Sequence, residues 1–531
     1  MAVLPSVSEV IFATDDDRMG EFIAWQARRL LGSALDGKTL GRARLGAITD
    51  QAVHTAISSP TDFHEPAILA EAVRETIDHI ITKRFSNVIR AGRVRQKVEA
   101  EIESLRPIGA VTPAPLKAPR PVGRVQAAIL GLLLRRAREV ATIADQRRIE
   151  ALVEVEGKQF IGTVFHVTEH RDSTAASSSE AAVKALDGVT LRLAAPPLVI
   201  RERAIAPTAG TAAVLASAWA RHRLLPWTTM ASLQCLYDGS WTKESARGLD
   251  PEDPIEPRSS AGHPPITPLD RAAPPQQLKS SMRADDHAVY SVLWDFFAAA
   301  ELGEFTSVYA KLDFELAGKA AGSLHVRFEG MSYLNLPDEL HYVAAVDSPD
   351  IHLPDAAALL DIWQNLNGVT PTFRIVPAAQ WNIKVDSLLS DMERQKIGRP
   401  STYTRALHDL EKAGLLAFPA GDGPIRLTPT GVATALALED AEPILSAPEF
   451  SSRLSDLTGR IVAEEIGPKD AFLDLLPLLA PNEDCELVGP RIWNSLAELE
   501  VALAQPLRPL PGALVGSMRD HDLPRLVDAE N

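Results

Sequence analysis

Apolar and polar positions change period several times along this chain, and each change predicts a new element. Val10 to Ala13 is a short apolar run that predicts a buried strand. Phe22, Ile23, Ala27 and Leu30 then recur at helical spacing, so residues 1–45 read as a strand, a helix and a basic connection. Residues 46–100 are mostly helical, with Ala72, Ile77 and Ile80 on one stripe. Pro107 to Pro121 cannot be regular helix, because proline lacks the N–H and clashes with the preceding turn. Gly123 to Thr142 reads as helix again, with Val125, Ile129, Leu132 and Leu133 as its apolar side. Residues 148–206 run in short strand-like segments around a Ser/Ala-rich loop at Ser173 to Ser179. Two helices follow, Thr211 to Arg223 and Thr228 to Tyr237, then a loop from Asp250 to Pro275 with eight prolines.

Helical pattern resumes from Asp286 to Leu302. Leu312, Phe314 and Leu316 alternate with Lys311, Asp313 and Glu315, and Leu324, Val326 and Phe328 with His325, Arg327 and Glu329. Period two marks half-buried antiparallel strands. Residues 385–480 turn helical, and from Pro481 the sequence is proline-rich with little pattern. There is no internal repeat. Helical, β, helical, β, helical is an order that predicts domains inserted into domains, with the two β-rich stretches forming one unit. The fold class expected is mixed α/β and multidomain.

Composition narrows the function classes. A chain of 531 residues exceeds one ordinary core. Its 46% hydrophobic and 23% charged residues are those of a globular protein. It has no apolar run of membrane-spanning length and no basic, then apolar leader, so a cytoplasmic location without membrane contact is expected. The two cysteines, Cys235 and Cys485, exclude a disulfide scaffold and a Cys₄ zinc ribbon. A net charge of −16 argues against indiscriminate nucleic-acid binding. Two segments run against that sum. Lys83 to Lys97 has six basic residues and no acidic one; Arg106 to Arg138 has seven and none. Such segments can neutralise phosphates locally, or can simply be solvated faces.

The chemistry-bearing segments begin at Ala13 to Trp25, Ala-Thr-Asp-Asp-Asp-Arg-Met-Gly-Glu-Phe-Ile-Ala-Trp. Asp15 and Asp17 stand two apart at a strand tip, a hard-oxygen pair suited to Mg²⁺ beside a phosphate, or else an Asp-rich turn with a helix N-cap. Further on come Gly123-Arg124-Val125-Gln126, Leu236-Tyr237-Asp238-Gly239, Ala261-Gly262-His263-Pro264-Pro265-Ile266-Thr267-Pro268, and Lys396-Ile397-Gly398-Arg399-Pro400-Ser401-Thr402-Tyr403. A glycine before a helix lets backbone N–H groups approach a phosphate, and an arginine adds a charged fork. Leu410 to Leu416 with Leu427 to Gly431 has in addition a winged-helix pattern of helix, turn glycine and β wing.

These segments resemble type IA DNA topoisomerases. The first is similar to the acidic Asp-x-Asp-Arg-Glu-Gly-Glu motif of that family's Toprim domain, with Met19 where the family carries glutamate. The last is close to Gly-Ile-Gly-Arg-Pro-Ser-Thr-Tyr. The five motifs fall in the family's order across residues 10–440.

The resemblance implies a toroidal fold. Residues 1–45 would be a partial Toprim domain, and 46–146 the first part of a helical domain. Residues 147–207 would open a β arch, 208–303 would be an inserted helical domain, and 304–388 would complete the arch. Residues 389–480 would be a helical, winged-helix-like second part, followed by a tail at 481–531. A family strand bearing a catalytic Glu and a phosphate-binding Lys would lie before Met1. The resemblance therefore implies a Mg²⁺ site, at Asp15 and Asp17, that is at best half present, and no zinc. It implies DNA contacts from Arg18, Arg124, Gln126, His263, Arg399, Ser401 and Thr402.

The family cleaves DNA with a tyrosine in Ile-Thr-Tyr-x-Arg-Thr-Asp-Ser. Here the matching stretch is Trp241-Thr242-Lys243-Glu244-Ser245-Ala246-Arg247-Gly248, which places Lys243 or Glu244 at the tyrosine position. None of the six tyrosines, Tyr237, Tyr290, Tyr309, Tyr333, Tyr342 and Tyr403, is a visible substitute. The expectation is a topoisomerase-like protein that binds single-stranded DNA or a DNA junction and is defective in cleavage, so no catalytic residue is assigned. Two alternatives stay open: an active enzyme with a partner subunit or an unusual nucleophile, and a winged-helix or scaffold protein with an unidentified protein partner.

Overall fold

The computed structural model describes residues 6–46, 50–91, 95–144, 146–167, 172–174, 180–237, 266–268, 273–318, 323–346 and 353–479. The chain opens with β1 (Glu9–Asp15), α1 (Arg18–Leu31) and β2 (Thr39–Leu45). The two strands pair in parallel, Glu9 opposite Thr39 and Asp15 opposite Leu45. The segment read as a basic connection is thus a strand, since Arg42 and Arg44 alternate with apolar neighbours and both side chains find Glu21. Asp17 caps α1, its carboxylate accepting from Gly20 N at 2.5 Å. A Cβ on Gly20 would lie 2.0 Å from the Asp15 carbonyl oxygen, so only glycine lets the helix start this close to the strand end.

The apolar stripe of α1 differs from the expected one. Phe22, Ala24 and Trp25 are buried, while Ile23 and Leu30 are 47% and 80% exposed. The helix is gripped from two sides. Phe22 and Trp25 enter the main helical core, whereas Ala24, Ala27 and Leu31 pack on β1, and the side between those contacts is left to solvent.

That helical core gathers segments distant in sequence. α2 (Asp50–Ser58), α3 (Glu65–Ala91), α4 (Arg95–Leu105) and α5 (Arg124–Ala144) come first. Of these, α3, α4 and α5 share one apolar cluster with helices from the C-terminal half, described below. Between α4 and α5 the proline-rich passage runs extended. Lys117 N donates to Thr430 Oγ1 at 3.1 Å and Arg120 N to Thr434 Oγ1 at 3.2 Å, so buried threonine hydroxyls satisfy backbone that no helix ladder can reach.

The β-rich part follows as β3 (Arg147–Val155), β4 (Lys158–Val167), β5 (Asp172–Thr174), α6 (Glu180–Ala185), β6 (Thr190–Leu193) and β7 (Leu198–Ile205). Four helices interrupt it, α7 (Thr211–His222), α8 (Pro226–Tyr237), α9 (Pro275–Leu278) and α10 (Ala284–Leu302). Then β8 (Glu304–Ala317), β9 (Leu324–Leu334), α11 (His341–Ala344), α12 (Ala356–Ile362) and β10 (Thr372–Pro377) return to it. All eight strands from β3 to β10 hydrogen-bond into one sheet, along the path β10-β3-β4-β9-β8-β6, with β5 on β4 and β7 on β8. Period-two burial along β8 puts Leu312, Phe314 and Leu316 inside and Lys311, Asp313 and Glu315 outside. β7 pairs with β8 on one side; among the described residues no strand pairs with its other edge, and Leu198, Val199, Ile200 and Ile205 are exposed there.

The chain ends in α13 (Val385–Arg394), α14 (Pro400–Lys412), a short hairpin of β11 (Leu416–Ala417) and β12 (Arg426–Leu427), α15 (Pro429–Ala441), α16 (Pro448–Val462) and α17 (Pro468–Leu479). These helices complete the apolar cluster of α1, α3, α4 and α5. The interrupting helices touch this body through fully buried Trp219 of α7 and through Trp227 of α8. Trp227 stacks on His408 of α14 with ring centroids 4.7 Å apart.

Candidate functional site

Where α1, α3, α5, α14 and α16 meet, four arginines crowd together. Arg18 begins α1, and Arg74 lies on α3. Arg124 begins α5, and Arg399 caps α14. Three of the four come from motifs picked out in the sequence. Local chemistry fixes their placement. Gly398 adopts φ +85°, a left-handed turn that glycine adopts freely, and Pro400 then supplies a preset first helical residue. Lys396 also sits left-handed, at φ +52°, where the resembling motif carries glycine. Its ammonium is held by Asp456.

Carboxylates of α3 organise the cluster. Glu71, with no exposed surface, takes Arg74 Nε at 2.6 Å and Arg399 Nη1 at 2.5 Å. Asp78 takes Arg74 Nη1 at 3.0 Å and Arg124 Nε at 2.5 Å. Arg124 Nη1 also donates to Ser451 Oγ at 2.9 Å. Arg18 is less well served. Its Nη1 is buried with no hydrogen-bond partner, and burial together with the neighbouring Arg399 charge pushes its guanidinium down to about 10. Arg74, Arg124, Arg399, Thr402, Ser451 and Thr458 line a cavity of about 20 Å³, room for roughly one water.

The expected DNA-contacting residues fare differently. Arg18 and Arg399 reach the cluster and are partly exposed. Arg124 reaches it but is buried and tied to Asp78 and Ser451. Gln126 and Thr402 serve their own helices: Gln126 Oε1 accepts from Gly123 N at 2.9 Å, and Thr402 Oγ1 from Arg399 N at 2.8 Å. The Ser401 side chain and all of His263, Lys243 and Glu244 lie outside the described residues. The basic segments are only partly spent on internal pairs: Lys83, Arg90, Arg106, Lys117 and Arg120 are exposed. Arg84 binds Glu442 at 2.8 Å, and Lys97 binds Asp440 at 3.2 Å. Arg138 binds Glu101 at 2.7 Å, and Arg135 binds Glu449 at 2.6 Å. The Arg138–Glu101 pair ties α5 to α4, and the others tie α3, α4 and α5 to α15, its C-terminal cap and α16.

Glu71, Arg74 and Asp78 were missed in the sequence. Their signal was available: charges at i, i+3 and i+7 share one face of the helix. The pairing has a pH signature. Burial alone would push the Glu71 carboxyl up, yet the Arg399 and Arg74 charges hold it below its ordinary value near 4.5. A carboxyl depressed on folding contributes stability that is complete above its unfolded value and lost as pH falls through its folded one. The thermal midpoint is therefore expected to drop as pH falls below about 4.5, and to drop less in Glu71→Gln. Parallel profiles for the two proteins would assign the acid sensitivity elsewhere.

The acidic pair gives less. Asp15 has an exposed side chain at the end of β1, and its carbonyl accepts from Arg42 Nη2 at 2.7 Å. Asp17 is engaged as a helix cap. Among the described residues no group of three or more His, Cys, Asp or Glu is placed to hold a metal ion. Two carboxylates, one already committed, do not build a Mg²⁺ site by themselves.

Tyrosine placement bears on cleavage. Burial pushes Tyr342 and Tyr403 well above the ordinary phenol value, and burial with the Glu329 hydrogen bond pushes Tyr309 to about 12. Tyr333 is likewise raised by burial. Tyr290 is buried and donates to the Ala273 carbonyl at 2.8 Å. Tyr237 ends α8.

No family profile matches the chain. Its sequence is similar to DNA topoisomerase 1 of Haemophilus influenzae, 23% identical over 93% of this chain and 57% of that protein. It is also 23% identical to DNA topoisomerase 1 of Fervidobacterium islandicum, over 77% of this chain and 59% of that one. The same holds for that of Escherichia coli, 23% identical over 76% and 47%. The chain thus spans about half the length of these relatives. Among solved structures it resembles full-length topoisomerase I from Thermotoga maritima, with a TM-score of 0.58 and 18% identity, over 89% of this chain and 78% of that one. The fold is mixed α/β, multidomain and topoisomerase I-like.

Proposed function

We propose that this chain is a relative of type IA DNA topoisomerases that binds single-stranded DNA, or a DNA junction, without cutting it. One observation carries the binding half: arginines 18, 124 and 399, from three widely separated motifs, meet with Arg74 in one cleft between α1, α3, α5 and α14. A junction with four guanidiniums against Glu71, Glu75 and Asp78 suits a phosphodiester backbone. Sequence supports the non-cutting half, because Lys243 or Glu244 stands where the family has its nucleophile. The phosphate donors are Arg399 and Arg18, whose side chains reach both the cluster and solvent. Arg124 acts behind them by fixing α5 to α3.

Fluorescence anisotropy with a single-stranded oligonucleotide tests the reading. Affinity is expected to fall linearly on a log–log scale against salt, with the slope of the Arg399→Ala variant shallower by about 0.7. A salt-independent signal, or no binding at low salt, would refute it.

A further inference from the structure

Glu71 is a charged group with no contact with solvent. Its two oxygens are shared between guanidiniums, Arg74 at 2.6 Å on one and Arg399 at 2.5 Å on the other. Two oxygens of a phosphate would accept from the same two donors in the same fashion. We infer that Glu71 is an internal anion holding the place of a nucleic-acid phosphate, which must displace it from Arg399 in order to bind. The proposal rests on the DNA-binding reading only for what carries the phosphate.

Three observations support the displacement. First, the groove beside Arg399 has about 20 Å³, enough for a water and too little to seat a phosphate group, so an anion can settle between Arg399 and Arg74 only if a side chain moves. Second, the side chains differ in freedom. Arg399 is 21% exposed and can rotate toward solvent, whereas Glu71 cannot leave its place on α3. When Arg399 swings to an incoming phosphate, Glu71 keeps Arg74, so no buried charge is left bare. Third, Arg18 holds a buried Nη1 without an acceptor and lies within the field of Arg399 and Glu71. An anion drawn in by Arg399 therefore finds a second donor with nothing to give up. Glu71 sets affinity by competition: it lowers the pull of the cleft on phosphate and keeps Arg399 from binding indiscriminately.

The test compares the whole chain with its Glu71→Gln variant against two probes, inorganic phosphate and a single-stranded oligothymidylate. Glutamine keeps the shape and one acceptor but removes the competing charge. The variant is expected to bind both probes about tenfold tighter, with the salt slope for the oligonucleotide unchanged, because Arg399 meets one phosphate in either protein. Equal or weaker phosphate affinity in the variant overturns the proposal, whatever the oligonucleotide does. Tighter phosphate binding in the variant, with no oligonucleotide binding by either protein, sustains the internal anion and removes the DNA reading instead. Should Glu71→Gln fail to fold, Glu71→Asp keeps the charge and draws it back from Arg399 by one methylene. About threefold tighter phosphate binding is then expected, and unchanged affinity overturns the proposal.

Discussion

Supercoiled plasmid incubated with this protein and Mg²⁺ is expected to stay supercoiled, and denaturation of the mixture should release no covalent protein–DNA adduct. Strand transfer by a tyrosine needs a phenol that attacks the phosphodiester and later leaves it, so that the stored bond energy reseals the strand. On the reading proposed above, Lys243 or Glu244 takes the tyrosine position. An amine does not form the same easily reversed ester, and an acyl phosphate from glutamate is hydrolysed rather than resealed. Four of the six tyrosines are poorly suited to take over. Tyr309, Tyr333, Tyr342 and Tyr403 have their phenols pushed up, away from the ionised state that attack requires. Loss of a nucleophile from a working catalytic unit costs on the order of 10⁶ in rate, which places relaxation below detection in an ordinary assay. Relaxation at a measurable rate, abolished by Lys243→Ala, would reverse this conclusion.

Arg42→Ala should loosen the first strand–helix–strand unit by roughly 3–5 kcal/mol, the cost of breaking a buried charge network from one side. Arg42 has no exposed surface and ties the unit together. Its Nε pairs with Glu21 at 3.1 Å, its Nη2 donates to the Asp15 carbonyl at 2.7 Å, and its Nη1 donates to the Phe12, Thr14 and Ala43 carbonyls. Alanine would strand those carbonyls of β1 and β2 and leave the Glu21 carboxylate with Arg44 and the His64 N–H. Because a chain of several domains does not unfold in one step, the readout is local hydrogen exchange of the amides in 9–15 and 39–45. Wild-type protection in those peptides would show that the network is dispensable.

The sequence was most readable where one physical rule governs one segment. Period two announced β8 and β9, and proline content ruled out helix across 107–121. Motif chemistry was only half readable. Arg18, Arg124 and Arg399 could be picked out, but not which of them would be locked inside. Gln126 and Thr402 looked like donors to DNA, and both are helix caps; a polar side chain three residues into a helix fits either role until the first turn is seen. The buried faces of α1 were misread at Ile23 and Leu30, since periodicity reports how many apolar residues share a side and not how many bodies grip the helix. Glu71 was invisible because its importance lies in pairing with Arg399, 328 residues away.

The open edge of β7 bears on how this protein behaves in crowded solution. Leu198, Val199 and Ile200 would make an adhesive margin, but Arg201, Glu202 and Arg203 follow at once. A two-fold antiparallel zipper between copies must set residues of equal parity face to face. Centring it on Arg201 or Arg203 opposes that arginine to its own twin, and centring it on Glu202 opposes glutamate to glutamate and Arg201 to Arg203. Seams centred on the charged stretch start with like charges in collision, while one centred on Val199 or Ile200 would set apolar side chains together, so three consecutive charges narrow the registers in which this rim, unpaired among the described residues, could zip to a copy.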